Sequence, residues 1–340
     1  MTDDAPATTA PPTPAAPPTT AQPSTRPTRR IGVMLPRDLP PADVLPFARR
    51  ADELGFDELW VVEDLGFRGG IAQAAAALTA TERIAVGIGI APAAARHPAF
   101  AAMEIATLGQ LFPGRLIAGL GHGMPGWMRS LGLWPASPLT LLEETTTAVR
   151  AVLRGRPITQ GRHVTLEHEE FTELPDVVPP VLLGVRGPRS LALSGRIADG
   201  TLLAEPAPPS YVRAALRHIA AEGPHELITY DVAAIDDDGE RALEHVRPAM
   251  AVVGEPDWAP HLVDLDFAEE LAALRASTGS PDAFAAAAPA AWIDALTLAG
   301  TPEAVRAKIA ARHDAGATCV VLTPVGDDRL AQLERFAQVL

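Results

Sequence analysis

The stretch IAVGIGIAPAAARHPAFAAMEIATLGQLFPGRLIAGL, residues 84–120, contains two almost entirely apolar runs separated by a segment of different periodicity. The runs 84–90 and 115–120 have the length and composition of buried strands. Between them, apolar residues recur at spacings of three and four, which is typical of a helix. A strand, a helix and a second strand in this order indicate two parallel strands joined by a crossover helix.

The same strand and helix alternation continues along the chain from Arg30 onward. Helix ends carry recognisable signals, such as Thr301-Pro302 at a start and Gly55 at an end. Strands that are apolar throughout are buried on both faces. Eight such units in about 310 residues predict a (β/α)8 TIM barrel rather than an open doubly wound sheet. The predicted strands are residues 31–35, 58–63, 84–90, 115–120, 180–185, 200–205, 228–235 and 318–323.

Three segments lie outside this repeat. Residues 1–29 belong to a stretch with eight Pro and eight Thr among its first thirty positions and no Leu, Ile, Val or Phe, so we predict a disordered tail before a single domain at 30–340. Residues 156–178 alternate like a β-hairpin, and residues 239–292 form an Ala-rich, helical excursion. The predicted domain is therefore a barrel with two insertions.

Composition excludes several classes of function. The formal net charge of −14 disfavours nucleic-acid binding, which needs clustered cations. There is no run of eighteen apolar residues and no signal-peptide pattern, so we expect no membrane span and a cytoplasmic protein. The single Cys319 excludes an internal disulfide, and it is expected to be a small buried hydrophobe. The sequence contains no pattern typical of a metal site or of a serine hydrolase.

In such a barrel, the loops that follow the strands converge on one mouth, and chemistry is placed there. The loops at this mouth contain residues 36–38, 63–64, 89–90 with 96–97, 122–127, 186–189 and 205. After the fifth strand, Gly187-Pro188 opens a helix whose unpaired N–H groups face the mouth, and Arg186 and Arg189 flank it. This turn is the best candidate for a phosphate site. A capped helix with solvated arginines is the alternative.

The glycine-rich loop GLGHGMPGWM, residues 119–128, follows the fourth strand. Its G-x-G-x-G spacing and Pro125 do not fit a dinucleotide fingerprint. Gly121 and Gly123 would let the backbone approach a flat ligand closely, and His122 between them is a candidate for hydrogen bonding or proton transfer. Met124 and Trp127 are expected to line an apolar substrate pocket, although Trp127 fits the core equally well.

Glu63 and Asp64 are adjacent acids at the end of the second strand. Successive side chains of a strand point in opposite directions, so only one of the two can face the barrel axis. A carboxylate there could carry a proton or accept a hydrogen bond from a ligand. A helix N-cap, or an ion pair with Arg68, is an equally good interpretation.

Several of these segments together resemble the bacterial luciferase-like flavin and deazaflavin oxidoreductases, particularly the branch that uses coenzyme F420. The resemblance covers about residues 30–235 and 290–325, and the stretches that carry it are GFDELWVVED, residues 55–64, residues 81–123, and GVRGPRSLALSGRIADG, residues 184–200. It implies a cofactor ring at the mouth and hydride transfer to or from a small organic molecule. It also implies a homodimer.

The same resemblance assigns parts of the cofactor site. A non-proline cis peptide, a rare feature, is implied at Gly89-Ile90 as a support for the ring. The turn at Gly187-Pro188, with Gly184 preceding it, corresponds to the family's phosphate-binding turn. Relatives that oxidise sugar phosphates carry an acid where this chain has Met124, so we do not expect that substrate class.

Three functions remain open at this point. The first is an F420-dependent oxidoreductase, which the Gly187-Pro188 turn favours. The second is an FMN-dependent monooxygenase that uses reduced flavin and O2 on the same barrel. The third is a cofactor-binding barrel without catalytic activity, because a fold can be retained without its chemistry.

Overall fold

The computed structural model describes residues 29–158, 160–166, 171–262 and 264–340. The predicted tail lies at residues 1–29, of which 1–28 are outside the described residues. The described residues form nine parallel strands in one sheet. They are β1 Arg30–Met34, β2 Glu58–Val61, β3 Ala85–Pro92, β4 Leu116–Gly121, β5 Val181–Gly184, β6 Gly200–Leu203, β7 Glu226–Ile235, β8 Leu298–Gly300 and β9 Cys319–Pro324.

Eight of these strands close into a barrel, which confirms the predicted fold. Each of β1 to β6 pairs with the next, β6 pairs with β7, β7 with β9, and β9 with β1. Helices follow the strands: α1 Pro41–Leu54, α2 Gly70–Ala80, α3 Pro98–Leu111, α4 Pro125–Ser130, α5 Pro138–Leu153, α6 Pro188–Ile197, α7 Pro209–Ile219, α8 Gly239–Val246, α9 Ala268–Ser277, α10 Pro281–Ala287, α11 Ala290–Leu296, α12 Pro302–Asp314 and α13 Arg329–Phe336. Short 3-10 helices cover Arg247–Val252, Pro256–Leu262 and Ala337–Val339.

The barrel interior is filled by side chains and is not a channel. Trp60 and Tyr230 meet edge to face in it, with ring centroids 5.6 Å apart. Cys319 is fully buried in the same cluster, as the sequence predicts. The interior residues are Met34, Trp60, Ile117, Leu182, Leu202, Ile228, Tyr230, Cys319 and Val321. A ligand must therefore bind above this plug, at the mouth.

The two insertions have different outcomes. The helical prediction for 239–292 is confirmed, since α8 to α11 and two 3-10 helices occupy this region around a separate apolar cluster. The hairpin prediction for 156–178 is wrong for its described residues, which contain no strand. The backbone N–H groups of residues 162–164 donate instead to the carboxylate of Glu144 on α5. A side chain thus takes the place of a partner strand.

Strand boundaries also differ from the prediction. The short β8, which extends the sheet beside β7, is missing from the predicted set. The second and sixth strands end at Val61 and Leu203, so Glu63 and Glu205 lie in the loops that follow them. Among the helices of the described ranges, none is both long and apolar enough to cross a membrane.

Candidate active site

A bulge at the end of β3 forms one wall of the barrel mouth. The peptide Gly89-Ile90 is cis, as the resemblance implies, and the register of β3 against β4 shifts between Ile88 and Ala91. The Ile90 side chain is half-buried and packs over glycines of β4 and of β5, the next strand beyond it. A Cβ atom on Gly121 would lie 3.0 Å from Ile90 Cγ1, and one on Gly184 would overlap Ile90 Cγ2. These glycines make room for the bulge.

The floor beneath this bulge is the Tyr230 ring. A Cβ atom on Gly89 would overlap the Tyr230 hydroxyl, so the glycine backbone lies directly on it. Tyr230 is 4% exposed, and its hydroxyl oxygen has no hydrogen-bond partner among the described residues. Burial, with the nearby charge of Glu205, raises the pKa of Tyr230 well above its ordinary value, so the hydroxyl keeps its proton.

The predicted phosphate turn is open to the mouth. Helix α6 begins at Pro188, its N-cap Gly187 is extended, and no side chain caps its first N–H groups. A Cβ atom on Gly187 would meet nothing within 4 Å. Arg186 lies beside the turn, donates to the Asp257 carbonyl over 3.1 Å and stacks over the Trp258 ring. Arg189 is exposed on the first turn of α6.

The glycine-rich loop after β4 reaches the same turn. The Nε2 atom of His122 lies 3.3 Å from the Ser190 hydroxyl on the first turn of α6. Burial lowers the pKa of His122, against a hydrogen bond with the Pro138 backbone, so the imidazole is neutral at pH 7. Met124 and Trp127 are half-buried next to this loop. The structure therefore brings His122 together with the phosphate turn.

Glu63 is fully engaged with protein partners. Its carboxylate receives two hydrogen bonds from Arg96, of 2.6 and 2.9 Å, and one of 2.8 Å from the Gly70 N–H at the start of α2. The interpretation as a helix cap and ion pair thus describes Glu63, with Arg96 as the cation. Arg68 instead donates to backbone carbonyls and to Gln73. Both carboxylate oxygens of Glu63 are held by hydrogen bonds from protein groups, which leaves Glu63 poorly placed to exchange a proton with a substrate.

Asp64 also has a cationic partner. Its carboxylate pairs with Arg37, whose guanidinium stacks over the Phe67 ring at 4.7 Å. Arg37 follows β1 and Asp64 follows β2, so the pair forms one rim of the mouth. This pair and the α6 turn lie on different sides of the opening.

The sequence analysis places Glu205 at the mouth but assigns it no role, and it does not identify the segment above it. Glu205 follows β6, and its carbonyl accepts a 3.0 Å hydrogen bond from Trp258 Nε1. Burial raises the pKa of its carboxyl group above the ordinary value. Its place at a strand end is the same signal that selected Glu63. The contribution of Trp258 had no sequence signal, because it comes from the inserted 3-10 helix Pro256–Leu262.

The fold and site define a class: a parallel barrel whose mouth combines a cis-peptide bulge, a glycine-rich loop and an open helix N-terminus. A family model described as luciferase-like monooxygenase matches residues 16–319. The chain belongs to this family, which confirms the resemblance seen in the sequence.

Individual relatives extend this result. The chain is 26% identical over 305 residues to 5,10-methylenetetrahydromethanopterin reductase of Methanolobus tindarius, covering 85% of this chain and 93% of the relative. The solved structure of coenzyme F420 dependent tetrahydromethanopterin reductase from Methanopyrus kandleri superposes with a TM-score of 0.78 at 25% identity, covering 92% and 98%. A type II Baeyer-Villiger monooxygenase from Pseudomonas putida in complex with FMN shares the fold, with a TM-score of 0.68, 17% identity and coverage of 92% and 97%.

Proposed function

We propose that this protein is an oxidoreductase that transfers a hydride between coenzyme F420 and a small organic substrate. The two reductases to which the chain is similar support the reaction class, and the one from Methanopyrus kandleri, a coenzyme F420 dependent enzyme, supports the cofactor. The observation that carries the proposal is the junction of His122 with Ser190, because it joins the glycine-rich loop to the open α6 turn. One ligand can therefore place a flat ring on the bulge and an anionic tail at the start of α6.

The residues present fit the anionic part of the cofactor. The first N–H groups of α6 lack side-chain caps, and a helix N-terminus favours negative charge. Arg186 and Arg189 add two cations. The open space in front of Gly187 leaves room for a phosphate to approach the backbone. We assign Arg186, Gly187, Pro188 and Arg189 to phosphate binding.

The redox ring is assigned to the wall made by Gly89 and Ile90, with Gly121, His122, Gly123 and Gly184 beside it. When bound, the cofactor supplies or accepts the hydride. The protein's part is to orient the ring and the substrate and to exclude water. Met124 and Trp127 supply apolar surface for the substrate next to the loop. His122, being neutral, can accept or donate a hydrogen bond there.

An FMN-dependent monooxygenase is the second candidate, supported by the fold shared with the FMN complex of the Baeyer-Villiger enzyme. A non-catalytic cofactor-binding barrel is the third. Titration of the protein with F420 and with FMN, followed by absorbance and fluorescence, separates the first two, and turnover of the bound cofactor separates both from the third. We expect F420 to bind more tightly. Preference for FMN would support the monooxygenase, and absence of binding to both would overturn the enzymatic proposals.

The phosphate assignment has its own test. Charge reversal of Arg186 and Arg189 to Glu should weaken F420 binding by about 1–3 kcal/mol if they make charge-assisted hydrogen bonds. The matched control is Arg196→Glu, an exposed arginine on the last turn of the same helix. Equal affinities for the double variant and the control would place the phosphate elsewhere.

We further propose a cytoplasmic homodimer. One face of α3 exposes large apolar side chains: Phe100 is 65%, Met103 51% and Leu111 66% exposed. A second copy covering this face would remove that surface from water. Replacing Phe100 and Met103 by Glu should convert the dimer to a monomer in light scattering, and a monomeric wild type would contradict this part of the proposal.

The one buried cysteine supports a reducing compartment, which fractionation of the native cells would test.

A further inference from the structure

Glu205 occupies a fixed position at the mouth. It follows β6 directly, and its carbonyl accepts the hydrogen bond from Trp258 Nε1. The next residue is held in the same way, because the buried His261 donates from Nδ1 to the Pro206 carbonyl over 2.9 Å. Two side chains of the inserted segment Pro256–Leu262 therefore fix the backbone carbonyls of Glu205 and of the residue after it.

The carboxyl group of Glu205 faces charges from several strand ends. Arg186 after β5, Asp64 after β2 and Arg37 after β1 all act on it. Because these charges come from opposite rims of the opening, the carboxyl group of Glu205 lies within the mouth. Arg186 is held by Asp257 and Trp258, and Arg37 pairs with Asp64.

The cations around Glu205 thus have other contacts. Apart from its own backbone N–H, no group of the described residues forms a hydrogen bond or ion pair with its side chain. The residue is half-buried, and desolvation raises the pKa of the carboxyl group despite Arg186. The carboxyl group therefore has a pKa above its ordinary value and, being half-buried, remains reachable from the mouth.

A second, independent feature points to the same place. Tyr230, on β7 beneath the bulge, has a buried hydroxyl without a partner among the described residues. Among charged groups, Glu205 acts on Tyr230 most strongly. A buried hydroxyl normally has a partner, so this one indicates a polar atom supplied by a ligand or a bound water. His261, which packs against this loop, has a pKa lowered to about 3 by burial and stays neutral.

We propose that Glu205 is the proton-transferring residue of the site, in place of His122, Glu63 and Asp64. This inference rests on the proposed oxidoreductase function. In the direction of reduction, the hydride forms a new C–H bond on one atom of a substrate C=O, C=N or C=C group. The π electrons move to the partner atom, which takes the proton as the O–H bond of Glu205 breaks. The Glu205 carboxylate is then reprotonated by water, and oxidation runs through the same steps in reverse.

The first test measures the proton itself and needs no substrate. In infrared spectra recorded across a pH titration, the wild type should show a protonated-carboxyl band that persists to higher pH than that of an ordinary Glu and that is absent from Glu205→Gln. The matched control Glu270→Gln removes an exposed carboxyl group of α9 and should leave the band intact. Oxidised F420 should shift the band in the wild type. Because burial also raises the pKa of Asp231 to about 6, the deciding quantity is the difference between the wild type and Glu205→Gln. If this difference spectrum contains no protonated-carboxyl band, the proposal is refuted.

The second test separates proton transfer from cofactor binding. Glu205→Gln keeps the shape of the neutral acid, so it should bind F420 with about wild-type affinity. With reduced F420 and the substrate that the wild type reduces fastest in a panel of small ketones, imines and enones, its turnover should fall at least about a hundredfold. Turnover close to that of Glu270→Gln would overturn the inference. Failure of the wild type to bind F420 would refute the proposed function, while the infrared band still decides whether Glu205 holds a proton.

Discussion

Replacement of Gly89 by Ala tests the contact between the β3 bulge and the barrel floor. The added Cβ atom would overlap the Tyr230 hydroxyl and would lie 2.9 Å from both Tyr230 Cζ and Leu202 Cδ1. Tyr230 cannot easily move, because it packs edge to face on Trp60 inside the filled barrel. Overpacking of a rigid core costs about 1–3 kcal/mol, and we expect the upper end of this range. Urea denaturation measures the loss of unfolding free energy.

The double variant Gly89→Ala/Tyr230→Phe identifies the atom responsible. Tyr230→Phe removes the overlapping oxygen, which has no partner among the described residues, so the single variant should be about as stable as the wild type. In the double variant the two contacts at 2.9 Å remain, and about half of the loss should be recovered. The control Gly126→Ala adds a Cβ atom that meets nothing within 4 Å. If Gly89→Ala is as stable as this control, or if the double variant shows no recovery, the reasoning is wrong.

Three further perturbations have defined outcomes. Arg312→Met leaves the fully buried Asp231 without its 2.8 Å partner and should lower the free energy of unfolding, measured by urea denaturation, by about 3–5 kcal/mol. In the double variant, Asp231→Asn should restore part of this loss. Burial lowers the pKa of His261 to about 3, so below about pH 6.5 the unfolded chain binds a proton that the folded chain does not. The free energy of unfolding should therefore fall as the pH drops from about 6.5 toward 3. Urea denaturation across this range should show a smaller fall for His261→Gln. Gly187→Ala should leave stability unchanged and reduce F420 affinity in titration, since only a ligand occupies the space that its Cβ atom would enter.

The barrel was predictable because its evidence is local. Each apolar run and each helical repeat can be recognised within about 11–18 residues, and handedness and closure follow from repeating the unit. β8 has three residues, too few to show any period, and it is stabilised by its pairing with β7. The alternation in 156–178 resembled a hairpin, yet the N–H groups of residues 162–164 donate to Glu144, which is 18 residues or more away along the chain. Side-chain capping of this kind leaves no periodic signal.

The site was predictable only as far as topology determines it. Strand order places the loops at one mouth, and that step selected residues from four different strand ends. The partners of these residues depend on contacts between loops that are distant in sequence. Glu63 pairs with Arg96, 33 positions away, rather than with the nearby Arg68. Its neighbours alone therefore could not show that its carboxylate is unavailable.

The glycines at the ends of β4 and β5 lie at the mouth as predicted, but the physical reason for a glycine at these positions differs from the predicted one. Gly121 is predicted to let a ligand approach the backbone closely, and Gly184 is assigned by the resemblance because it precedes the phosphate-binding turn. In the structure, Ile90 packs against both glycines. The bulge that displaces Ile90 onto them comes from β3, so the glycines and the cis peptide form one packed unit. A Cβ atom at either glycine would push Ile90 toward the mouth. We therefore expect these glycines to affect cofactor binding through the position of Ile90, with Gly187 as the glycine whose open face is left for the ligand.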